Sequence, residues 1–86
     1  MNINELIKIV KNKLEVKIVI QDLKIEDKSF LHKNHKGNQE GMFHLKLIIK
    51  SEELKKLNKI ESTKKIYSIL DFELKEHIHS IQILLS

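Results

Sequence analysis

Two stretches of this chain alternate apolar and polar residues with period two, and a helical stretch separates them. The first, Phe43-His44-Leu45-Lys46-Leu47-Ile48-Ile49-Lys50, sets Phe43, Leu45, Leu47 and Ile49 on one face and His44, Lys46 and Lys50 on the other. The second, Ile78 to Leu85, sets His79, Ile81, Ile83 and Leu85 on one face and Ser80 and Gln82 on the other. Segments of this kind are strands with one buried face. Because a helix joins them, they are expected to run parallel, with a right-handed crossover. That unit restricts the folds open to the chain more than any other feature.

The remaining segments fit around it. Ile3, Leu6, Ile7, Val10 and Leu14 recur at helical spacing with lysines between them, which predicts an amphipathic helix from about Asn4 to Lys17. The β-branched run Ile18-Val19-Ile20 could instead begin a strand. The spacing favours a helix that ends near there. Leu23 to Asp27 alternates and reads as a short strand, and the polar stretch Lys28 to Glu40 reads as a long loop. Ser51-Glu52-Glu53 offers a hydroxyl cap followed by acids, enough for a short helical turn. Asn58 or Ser62 can cap the next helix, whose stripe is Ile66, Ile69, Leu70 and Leu74 and which runs to about Glu76. The order is α-β-β-α-β. It predicts an α/β (α+β) domain with a three-stranded mixed sheet and its helices on one face.

Size and composition bound the function. With 86 residues the chain is expected to form one domain, residues 1–86, whose core leaves little room for an internal substrate cavity. It has no cysteine, so it has no thiolate site of its own for zinc or an iron–sulfur cluster, and a soft metal centre must borrow thiolates from a partner. The net charge is +4, and every basic residue is lysine. Lysine meets phosphate as a point charge and lacks the fork with which arginine reads guanine. The abundance of Lys, Ile and Asn also suits coding sequence of biased base composition. No apolar run approaches the about 18 residues of a membrane helix, and the early acid in Met1-Asn2-Ile3-Asn4-Glu5 does not suit a signal peptide. A cytoplasmic protein with no membrane partner is expected. No nucleophile with a paired base, metalloprotease helix, phosphate loop or dinucleotide fingerprint is present, so it is not expected to be an enzyme.

The topology is expected to gather the histidines. His32 and His35 lie in the long loop, His44 at the start of the second strand, and His77 and His79 at the start of the third. With the last two strands parallel, all five fall at one end of the sheet. Each has a plain reading. His44 alternates onto the solvent-facing side, where it is polar surface. His77 sits at a helix C-terminus, where partial positive charge suits the dipole. His79 shares a face with Ile81 and Ile83, where a histidine is usually a satisfied core residue.

In order and spacing these segments resemble the BolA-like family. Glu26-Asp27-Lys28-Ser29-Phe30-Leu31-His32 is similar to that family's strand end, an acid and a serine followed shortly by histidine. His44-Leu45-Lys46-Leu47-Ile48-Ile49-Lys50-Ser51 resembles its HFxVxxVS strand. Ile66-Tyr67-Ser68-Ile69-Leu70 with Glu73-Leu74 resembles its second main helix, and Ile78-His79-Ser80-Ile81 its hHAL segment. The likeness spans about Asn4 to Leu85. It implies a class II KH-like fold and partnership with a monothiol, CGFS-type glutaredoxin, the pair holding a [2Fe–2S] cluster between them. The glutaredoxin would supply its cysteine and a bound glutathione thiolate. This chain would supply His79 and a loop histidine, which spacing from Ser29 makes His32 in preference to His35. Isolated, the chain would carry no cofactor and be a monomer or weak dimer. Imidazole in place of thiolate raises the potential of a cluster and makes its ligation sensitive to pH. Some family members are described as transcriptional regulators, so DNA is the alternative partner, with Lys64 and Lys65 as candidate phosphate contacts. Against that stand the missing arginines, the few aromatics and the absence of a G-x-x-G clamp. Ser62, Thr63 and Lys64 also stand where many members have Arg-His-Arg, and the sequence stops at Ser86, before the position of a short C-terminal segment that many members have.

Overall fold

The structure is a computed structural model that describes residues 1–29 and 42–86. Helix α1 spans Ile3–Lys17 and starts where the Asn2 side chain accepts the Glu5 N–H. Leu6, Val10 and Leu14 are its buried stripe, and the chain turns extended at Ile18, itself buried. Strands β1 (Asp22–Asp27) and β2 (Phe43–Lys50) pair antiparallel, with Ile25 opposite Leu47. A short helix α2 (Glu52–Lys55) follows, capped by Ser51. The Ser51 hydroxyl accepts the Leu54 N–H and donates to the Val19 carbonyl, so one buried side chain ties α2 to the segment after α1.

Asn58, and not Ser62, caps the next helix, α3 (Lys59–Ile69). Ser62 lies buried inside it and donates to the Leu54 carbonyl. The single helix expected to reach Glu76 is two. Backbone geometry departs from helical at Leu70, and α4 (Asp71–Glu76) begins anew. No proline or glycine forces the break. Leu70 is fully buried and its N–H still bonds the Ile66 carbonyl, so packing holds it while the chain redirects toward the third strand. Strand β3 (Ile78–Leu85) pairs parallel to β2 as expected.

The sheet order is β1-β2-β3. Leu45, Leu47 and Ile49 of β2 join Leu6, Val10 and Leu14 of α1 and Ile66 and Leu70 in one hydrophobic core, so the helices cover that face. The other face carries Lys24, Glu26, Lys46, Gln82 and Leu84. Burying about ten aliphatic side chains, at roughly 1.5–3 kcal/mol each, is the main drive to this arrangement. No helix among the described residues is long and apolar enough to cross a membrane.

Candidate functional site

The end of the sheet where β1 finishes and β2 begins is held by short-range chemistry. The Asp27 carboxylate accepts the Ser29 N–H at 2.9 Å and turns the chain out of β1. The Ser29 hydroxyl then accepts the His44 N–H at 3.1 Å, and the Lys28 N–H donates to the His44 carbonyl at 2.7 Å. On the other side the Phe43 N–H donates to the His77 carbonyl at 2.9 Å. The backbone around His44 is thus fixed from both flanks.

The third strand then departs from plain alternation. Ile78 lies opposite Phe43, but Ser80 lies opposite His44, so His79 is an extra residue in a bulge. The bulge allows Ile78 and Ile81, three positions apart, to face the same core. It also corrects the expectation for His79. That residue does not share the core face of Ile81 and Ile83 but is exposed. Its ring centroid is 5.0 Å from that of His44, with the planes tilted by 57°.

His44 also differs from expectation. It lies on the side of the sheet that alternation assigned, but it is only 3% exposed, and its Nδ1 is 2.6 Å from the Ser80 hydroxyl. Period two tells which face a side chain takes; the neighbours that cover it come from elsewhere in the fold. Ser80 was missed as a site residue, and its only signal is its place opposite His44 in a parallel register. Beside the pair runs a groove of about 350 Å³ lined by Lys28, His44, Lys46, Ser80 and Gln82. His77 closes α4 as expected, its N–H donating to the Glu73 carbonyl and its ring edge-on to Phe72.

Three of the five histidines therefore meet at one end. His32 and His35 lie outside the described residues. Among the described residues no group of three or more histidines or acids is gathered to hold a metal ion. Lys64 is exposed on α3, while Lys65 is tied to Glu53 at 3.2 Å. That face of α3 also exposes Ile60 and Tyr67 beside a groove of about 600 Å³.

These features define a class: small α+β domains with a three-stranded mixed sheet that present an exposed histidine at one sheet end. The family model described as BolA-like protein matches residues 14–86, and the chain belongs to that family. It is 30% identical over 73 residues to the "DNA-binding transcriptional regulator BolA" of Haemophilus influenzae, covering 85% of this chain and 68% of that relative. Among solved structures it resembles the BolA domain of SufE1 from Arabidopsis thaliana (TM-score 0.78, 28% identity, 92% of this chain and 87% of that one). BolA1 from the same plant is as similar in shape (TM-score 0.78, 26% identity, the same coverage). A bol-like protein from Babesia bovis, at 18% identity over 91% of this chain and 79% of that one, shares the fold with a TM-score of 0.70.

Proposed function

We propose that the chain is an adaptor, not an enzyme, which pairs with a monothiol, CGFS-type glutaredoxin to hold or pass on a [2Fe–2S] cluster in the cytoplasm. One observation carries this reading: a bulge lifts His79 out of the core face and leaves its imidazole exposed beside a buried, anchored His44. The donor set fits a shared cluster and not a private one. Such a cluster needs four ligands, and a chain without cysteine can give it no thiolate, which leaves imidazole as its most suitable donor.

His32 is the second donor. Ser29 is pinned to the His44 backbone, and three residues of chain reach at most about 10 Å from that point. Six positions separate His35 from Ser29, so chain length allows it about twice that reach, and fixing it would cost more freedom. The two partner thiolates would come from the glutaredoxin cysteine and its glutathione. When bound, the cluster supplies an iron–sulfur unit that can change redox state or move to a recipient. The part of this chain is to orient His79. His44 packs beside the His79 ring, and Ser80 fixes the His44 ring in turn.

The second reading is a DNA-binding regulator. It is supported by the name of the Haemophilus influenzae relative and by Lys64 beside exposed Ile60 and Tyr67 on α3. It ranks below the first because the chain has no arginine and Lys65 is engaged by Glu53. Mixing the protein with a monothiol glutaredoxin, glutathione, iron and sulfide tests the first reading. A heterodimer with a visible spectrum distinct from that of the glutaredoxin homodimer is expected. An unchanged spectrum and elution volume would exclude it.

A further inference from the structure

Strand β3 is an edge strand with one protective device, the bulge at His79, and beyond it the outer edge from Ile81 to Leu85 has none. Edge strands are normally guarded by lysine, other charges or proline. β1, at the other edge, carries Asp22, Lys24, Glu26 and Asp27. β3, eight residues long, carries no acid, lysine or proline.

The pairing shows which of its backbone groups are open. The Ser86 N–H donates to the Ile49 carbonyl and the Ser86 carbonyl accepts the Ser51 N–H, so both groups of Ser86 point toward β2. Backbone groups alternate in direction along a strand. Those of Gln82 and Leu84 therefore also point inward, and those of Ile81, Ile83 and Leu85 point out, away from β2. No strand among the described residues pairs with them.

We infer that this edge is a self-association surface, on which β3 of a second copy pairs antiparallel about a two-fold axis at Ile83. Ile81 then faces Leu85 of the other copy, and Ile83 faces its own counterpart, giving three hydrogen-bonded pairs in a self-complementary register. Charge selects this occupant. A strand such as β1 would bring acids and lysines against an apolar edge, whereas β3 brings none. Leu84, 43% exposed, and a groove of about 420 Å³ lined by Leu54, Leu57 and Ile83 lie alongside and gain cover. Three backbone pairs make a small contact beside the about 1,200–2,000 Å² of a stable interface, so weak association is expected. The three pairs span Ile81 to Leu85 of each copy.

Sedimentation velocity from about 10 μM to 1 mM tests this directly. The average mass is expected to rise from one chain toward two, with concentration-dependent amide shifts at Ile81, Ile83 and Leu85. Ile83→Pro removes an outward N–H that β2 does not use. The double change Gln82→Lys with Leu84→Lys sets like charges opposite each other across the dimer. Each should weaken association about tenfold or more, and Val16→Lys, on exposed α1 surface, should not. If Ile83→Pro fails to fold, the lysine pair decides the matter alone. A protein that stays monomeric to 1 mM, a dimer that survives in the folded lysine variant, or shifts that map to α3 would each overturn the proposal.

Discussion

Ser80 Oγ stands 2.6 Å from His44 Nδ1, and that contact governs the ring beside His79. Ser80→Ala is expected to lower stability by about 1 kcal/mol, seen as a lower urea midpoint at unchanged slope. It should also broaden or shift the His79 ring resonances, because the His44 ring then loses its fixed plane. Among the histidines, His79→Ala is expected to abolish the distinctive spectrum of the heterodimer, and His32→Ala to make its cluster labile. His35→Ala should change little. The reverse order for His32 and His35 would move the loop donor, and three silent variants would remove histidine ligation altogether. Of these residues, His79 was legible as a candidate but not its setting. Alternation placed it on the core face, and a bulge that depends on pairing to β2 moved it off. The burial of His44 was not legible at all, since it arises from contacts distant in sequence.

The helical elements show a similar division. The α1 stripe and the Ser51 cap could be read directly, because a helix face and a cap depend on residues a few positions apart. The break at Leu70 could not, for it answers to where β3 must begin. At that break α4 presents Glu73, whose side chain is 4% exposed, to Lys13 of α1 at 2.6 Å. Lys13 itself is 40% exposed and lies 5.9 Å above the Phe72 ring. One Glu73 carboxylate oxygen, Oε1, is buried without a partner among the described residues. The two ends of this pair are therefore unequal. Lys13→Met strands a carboxylate in the interior and is expected to lower stability by about 2 kcal/mol. Glu73→Met leaves a lysine that can extend into water, and should change stability by less than about 1 kcal/mol. Urea midpoints of the two variants check that order, and equal losses would contradict it.

Across the whole molecule, the topology was the best-read feature, because one alternating strand on each side of a helix admits few arrangements. Net charge acts at this scale too. With +4 carried by lysine alone, DNA affinity is expected to be weak and to fall steeply with salt, log K dropping by about 0.9 per phosphate contact for each log unit of salt. A sequence-specific complex surviving at nanomolar protein in physiological salt would reverse the order of the two functional readings. The bonds from Ser29 and Lys28 to His44 have a further consequence for the architecture. They tie the two flanks of residues 30 to 41 together, so the join between β1 and β2 has backbone bonds of its own beside the sheet. Doubling the length of such a segment costs only about 0.6 kcal/mol in closure entropy. A change in the length of that segment is therefore expected to add little to the cost of bringing its two flanks together.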